Sequence, residues 1–201
     1  MGAPFGKATF TKEYQRRVGW HANNKLHENS KELLSILIDH TDLDEDSKIF
    51  ELGSGGGRNL HYIHQHFGIT DIHCSDLWEK ESKNEMTHAM RKYSKFYEGD
   101  SEDIINYQVM TDLDLFLTSD HLMHLHPDKT DYIIKKIMSD WKSKYIMMRE
   151  LKKGYEKTHP QGLFHNYNQF LDDYDLIFNT TSKTDESYFI WLLRRKNERL
   201  H

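Results

Sequence analysis

Apolar residues along this chain switch repeatedly between helical spacing and short continuous runs. From Ser30 to Asp39, Leu33, Leu34, Leu37 and Ile38 recur at the three-to-four spacing that places them on one side of a helix. Ile49-Phe50-Glu51-Leu52 then reads as the end of a buried strand, and Arg58 to Phe67 returns to helical spacing with Gly68 placed to end it. A second strand over Thr70 to Ser75 runs into Asp76, and Lys80 to Tyr93 reads as a helix with Met86 and Met90 one turn apart as core filler. Lys95 to Glu98 gives a third strand, a helix begins near Glu102, and Leu113 to Thr118 is apolar enough for a central strand. Asp128 to Lys142 carries Tyr132, Ile133, Ile137, Met138 and Trp141 on one helical face, and Tyr145 to Met148 is a fifth strand. Tyr174 to Thr180 and Tyr188 to Arg194 flank the polar turn Ser182 to Glu186, a hairpin signal. Strands alternating with helices predict one α/β domain over residues 48–195, a mostly parallel sheet with helices on both faces and an antiparallel C-terminal hairpin. Residues 1–47 form a leader and 196–201 a charged tail.

Composition narrows the partners. With 201 residues and 37% hydrophobic content the chain can bury one real core, and it is short for two. A net charge of -5, from 27 basic and 32 acidic residues, offers no general attraction to a polyanion and argues against nucleic acid. A single cysteine, Cys74, excludes an internal disulfide and fits a reducing, cytoplasmic setting. The start lacks the basic-then-apolar order of a signal peptide, and no apolar run approaches the ~20 residues of a membrane span.

Between the first strand and the next helix, four glycines fall in five positions, and their spacing matters more than their number. Gly53, Gly55 and Gly57 make G-x-G-x-G, with Glu51 two residues ahead. Glycine lets the chain turn sharply while its backbone comes close to a ligand. A dinucleotide fingerprint needs glycine where Arg58 stands, and a phosphate-binding P-loop needs Gly-Lys-Ser/Thr, so both fail on residues. The stretch Glu51 to Gly57 resembles the first motif of the class I, Rossmann-like S-adenosylmethionine-dependent methyltransferases. The resemblance implies a seven-stranded sheet, with the turn (Gly53, Ser54, Gly55, Gly57, Asn59) under the methionine part of S-adenosyl-L-methionine and Glu51 at its amino group. Asp76 stands roughly 20 residues past the turn, where an acidic side chain receives two ribose hydroxyls. Leu77 and Trp78 then face the adenine ring, or pack under the next helix. By the same resemblance Asp100 and Ser101 read the adenine amino group, and Asp100 can cap a helix as well.

Ser119-Asp120-His121 follows the fourth strand at the end of the sheet where ligands gather, and the resemblance sets this segment beside the cofactor, with Ser119 among the cofactor's contacts, and facing the methyl acceptor. Asp120, His121 and His124 are therefore candidates to orient or deprotonate a nucleophile. His121, His124 and His126 also suggest a metal, but no cysteine or carboxylate cluster completes a set, and none is expected. Arg149, His165, Asn166 and Tyr167 are acceptor-side candidates on and after the fifth strand, as are Tyr14, Trp20 and His21 in a leader that often forms a lid in this family. The inward-packed alternative carries equal weight for each of these. The Asn/Asp-Pro-Pro-Tyr/Phe tetrapeptide of nucleic-acid amino-methyltransferases is absent after the fourth strand, which has Ser119-Asp120-His121-Leu122. The expectation is an enzyme, monomeric or homodimeric, that methylates a small-molecule hydroxyl, amine or thiol. Its rivals are a same-fold enzyme acting on protein or RNA, and a non-catalytic cofactor-binding partner subunit.

Overall fold

A computed structural model describes residues 24–77, 86–107, 110–155 and 162–196. Tyr14, Trp20, His21 and Trp78 lie outside them. The elements in order are α1 (Asn24–His40), β1 (Lys48–Leu52), α2 (Arg58–Phe67), β2 (Asp71–Asp76), α3 (His88–Tyr93) and β3 (Ser94–Glu98). After these come α4 (Ser101–Tyr107), β4 (Leu115–Ser119), α5 (Pro127–Lys136), β5 (Tyr145–Leu151), β6 (Tyr174–Thr181) and β7 (Tyr188–Arg195). The sheet order is β3-β2-β1-β4-β5-β7-β6. The strands from β1 to β5 pair in parallel, whereas β7 runs antiparallel to both β5 and β6. This is the seven-stranded class I methyltransferase arrangement that the sequence predicts.

Alternation along the strands divides the core into two layers. Ile49, Leu115, Leu117, Tyr145, Met147, Ile190 and Leu192 face α1, α2 and α3. Phe50, Leu52, Phe116, Ile146, Met148 and Leu193 face α4, α5 and the Trp141 ring, whose Nε1 donates to the Ile105 carbonyl at 3.1 Å. Met86 and Met90 are buried in the first layer, the filling role their spacing suggests.

Three local expectations change. On α1 the buried face is Leu33, Ile36 and Leu37, while Ile38 points outward, because a 3.6-residue period brings position 36 to the sheet and carries 38 past it. The Asp128–Lys142 helix starts one residue earlier, with Pro127 in its first turn and the His126 ring capping the Asp128 N–H. It ends in a wider turn over Ile137–Trp141, which Lys142 closes in the left-handed region at φ 50°. β5 runs three residues past Met148, because β7 continues to pair with it as far as Leu151 opposite Tyr188. Arg149 and Glu150 therefore lie inside a fully buried strand, where the sequence placed them beyond its end.

Candidate active site

The glycine turn adopts the conformation its residues allow. Gly53, Gly55 and Gly57 all have positive φ, at 74°, 50° and 67°. The Ser75 carbonyl at the end of β2 accepts the N–H groups of Gly53 and Ser54 at 3.0 and 2.9 Å. Asp76 grips the turn from the same strand, Oδ2 accepting from the Gly55 N–H at 2.8 Å and Oδ1 from the Leu77 N–H at 2.7 Å. Burial raises its pKa, against the pull of those two donors.

Glu51 sits at the floor of this end of the sheet, 2% exposed. Its Oε1 accepts from the Asn59 side-chain amide at 2.7 Å, and the Asn59 oxygen accepts from Ser30 Oγ of α1 at 2.6 Å. Its Oε2 is buried with no hydrogen-bond partner, as is Ser54 Oγ. Burial pushes the Glu51 carboxyl up to about 8, with the Asn59 amide pulling the other way. A buried carboxylate oxygen left open costs folding energy unless something cationic meets it.

His121 closes the turn from above β4. Its ring lies against Gly53 so closely that a Cβ built there would stand 2.2 Å from Cγ and Nδ1. Its Nε2 pairs with Ser101 Oγ at 2.7 Å. Enclosure lowers its pKa to about 4, which keeps the ring neutral. His121 thus ties three segments together: the glycine turn, the start of α4 and the loop after β4. Asp100 accepts from the Glu102 N–H at 3.1 Å and faces Lys129 Nζ at 3.3 Å, so it caps α4 and joins it to α5.

Asp120, beside Ser119 at the end of β4, is a non-glycine residue at φ 55°. Its N–H donates to the Arg149 carbonyl at 2.8 Å, and its Oδ1 accepts from Arg149 Nη1. Arg149 is almost wholly buried, with its guanidinium 4.0 Å over the Tyr188 ring and its Nε without a partner. Glu150, which sequence reading passed over, faces the opposite side of the sheet. Its two oxygens accept from Thr118 Oγ1 and from the N–H groups of His121, Leu122 and Met123, at 3.0 to 3.4 Å. A single carboxylate therefore fixes the turn that carries His121 and His124. The signal for it was an acid continuing an apolar run at the ligand end of a strand.

The remaining acceptor-side candidates lie elsewhere. His165 and Tyr167 are buried on the second layer, His165 Nε2 near Thr130 Oγ1 at 3.4 Å and the Tyr167 ring against Phe189. Both rings point inward, on the opposite sheet face from Arg149, because the segment around them folds down onto α5 and β7. Asn166 is exposed and caps the short turn that follows by accepting from the Asn168 N–H at 3.1 Å. His126 is spent as the cap of α5. Among the described residues no three His, Cys, Asp or Glu side chains are grouped to hold a metal ion. Among the same residues no helix is long and apolar enough to cross a membrane.

No family model matches the sequence, and a search of curated proteins finds no match. Solved structures do match. Magnesium protoporphyrin IX methyltransferase from Synechocystis PCC 6803, with SAM bound, superposes with a TM-score of 0.70 at 14% identity, covering 98% of this chain and 100% of that one. The N-methyltransferase NodS from Bradyrhizobium japonicum WM9, in complex with S-adenosyl-L-homocysteine, gives 0.67 at 11% identity over 87% of this chain and 89% of that one. Human N-acetylserotonin methyltransferase with SAM gives 0.60 at 17% identity over 83% and 51%. At these identities the likeness is one of fold.

Proposed function

We propose that this chain, which has the class I methyltransferase fold, is an S-adenosyl-L-methionine-dependent methyltransferase acting on a small molecule. The observation that carries the reading is the orphaned, buried Glu51 Oε2 at the end of β1, beside three left-handed glycines. A cationic amine completes that oxygen, so these residues fit the amino-acid end of the cofactor. When bound, the cofactor supplies a methyl group on a sulfonium, ready for in-line displacement.

The chain's own side chains supply position. Glu51, braced by Asn59 and Ser30, holds the amine, and the glycine turn, with the His121 ring packed on Gly53, borders the chain behind it. Asp76 keeps one lone pair on each oxygen beyond those that the Gly55 and Leu77 N–H groups use, enough to receive ribose hydroxyls. Ser101 and Asp100 border the base. Ser119 and Asp120 at the end of β4 face the acceptor, at the point where the sheet order reverses between β1 and β4. His121, enclosed and neutral, sets the height of the turn and is a poor proton acceptor. The net charge and the lack of a nucleic-acid tetrapeptide after β4 favour a small acceptor over RNA.

Calorimetry with S-adenosylmethionine and S-adenosylhomocysteine tests the cofactor. Methyl transfer from labelled cofactor onto a panel of hydroxyl, amine and thiol compounds tests the acceptor class. Absence of binding by both forms refutes the cofactor assignment, and turnover of RNA or protein alone refutes the small-molecule one.

A further inference from the structure

Asp120 combines three features that no structural ion pair needs together. Its backbone is held in the left-handed region, an arrangement that costs a non-glycine residue energy and recurs at functional sites. It is clamped twice by Arg149, once through the carbonyl of that residue and once through its guanidinium. Its side chain nonetheless keeps 29% exposure at the ligand end of the sheet, whereas that of Arg149 keeps 2%. A ligand can touch the carboxylate and not the cation.

Resting on the proposed function, we infer that Asp120 receives the hydrogen of the acceptor nucleophile, that Arg149 is its positioning residue, and that the acceptor atom is therefore protic, a hydroxyl or an N–H amine. As the nucleophile takes the methyl group, the carbon–sulfur bond of the sulfonium would break to leave a neutral thioether, the nucleophile's O–H or N–H bond breaks, and the proton passes to the Asp120 carboxylate and then to water. Arg149 keeps the carboxylate ionised and aimed, while the Tyr188 ring from β7 holds the guanidinium plane in place. The other groups facing Asp120 act in both directions. Burial and Asp185, on the β6–β7 turn, raise its pKa, and Arg149 and His124 lower it. Tyr188 is itself held well above its ordinary range by burial and by Asp120, so it stays a neutral phenol. His121 is engaged by Ser101 and Glu150 by backbone N–H groups, so neither competes with Asp120 for that proton.

The test uses the full chain with three readouts. One is S-adenosylhomocysteine affinity, another the pH profile of methyl transfer onto matched protic and aprotic acceptors (phenols, alcohols and primary amines against tertiary amines and thioethers). The last is the carboxyl 13C titration of Asp120, identified by its loss in D120N. Only protic acceptors should turn over. D120N should lower kcat at least ~100-fold, the scale of lost acid–base catalysis, with S-adenosylhomocysteine affinity within threefold of wild type. In R149M the acid limb of kcat and the Asp120 titration should rise together by about one pH unit or more, and R149K should return both towards wild type. The inference is overturned if D120N turns over normally, or if the titration moves while the acid limb does not. It is overturned equally if aprotic acceptors are the ones methylated, or if a chain that binds S-adenosylhomocysteine methylates no protic acceptor. Should R149M not fold, D120N and R149K decide. Loss of S-adenosylhomocysteine binding by the wild type would instead strike the cofactor assignment.

Discussion

Replacing Gly53 with alanine is the sharpest single perturbation of the site, because two penalties meet at one atom. At φ 74° an alanine sits in the left-handed region, at a cost of about 1–2 kcal/mol. The new methyl would lie 2.2 Å from two His121 ring atoms and 2.8 Å from its Cβ, where ordinary carbon contacts are about 3.5–4.0 Å. More than an ångström of movement is needed, and the ring is not free to give it: Ser101 Oγ holds Nε2 at 2.7 Å, and Glu150 holds the His121 backbone. Overpacking of this kind costs about 1–3 kcal/mol, and losing the Ser101 bond about 0.5–1.5 more. G53A should therefore lose about 3–6 kcal/mol, a large part of the ~5–15 typical of a domain. Urea unfolding of G53A, H121A and the double variant measures it. With the ring gone only the backbone term remains, so the cycle should show about 2–4 kcal/mol of coupling. Gly57, whose added Cβ meets Met86 at an ordinary 3.5 Å, serves as control, and G57A should cost only the ~1–2 kcal/mol backbone term. A loss below about 1 kcal/mol in G53A, or no coupling to His121, would refute the contact.

Glu51, at about 8, is protonated in the free protein at neutral pH and must ionise to meet a cationic amine. Cofactor affinity should rise roughly tenfold per pH unit below that value with release of about one proton, and E51Q should flatten the slope, as calorimetry in buffers of different ionisation enthalpy will show. Because the folded value lies above the unfolded one, the native state holds the extra proton in between. Stability should therefore fall as pH rises from 5 towards 8, and E51Q should remove the Glu51 share of that fall, leaving the share of Glu150, which burial also pushes up to about 8. D76A removes the acceptors of the Gly55 and Leu77 N–H groups and should cost about 2–4 kcal/mol in unfolding and ~1–3 in cofactor binding; unchanged affinity removes Asp76 from the cofactor's contacts. E150Q turns an amide donor towards backbone donors and should cost about 2–4 kcal/mol, with hydrogen exchange at Leu122 and Met123 accelerating; unchanged exchange there would mean the carboxylate does not hold that turn.

What could be read from the chain divides along physical lines. The glycine turn, the order of elements and the hairpin were legible because each depends on local chemistry: left-handed glycines, apolar period, a polar turn between two apolar runs. Gly68 ends α2 as its position suggested, its N–H reaching the His64 carbonyl at 2.9 Å. The length of β5 was not legible, since Arg149 and Glu150 look like loop residues until β7 is known to pair with them. The enclosure of His121 was equally hidden, because the glycine its ring lies against is 68 positions away in sequence. His165 and Tyr167 read as well for a loop over a ligand as for a buried segment, and only the packing of that segment onto α5 and β7 selects the second.

The strand order has a cost during synthesis. β7, the last described strand, is not an edge: it slots between β5 and β6. All seven residues of β5 are buried in the finished sheet, so until β7 arrives that strand presents an apolar ribbon with one row of backbone groups open to any passing strand. A nascent chain stalled, or a protease product ending, near residue 185 would carry that ribbon uncovered. Such fragments should aggregate or be held by chaperones.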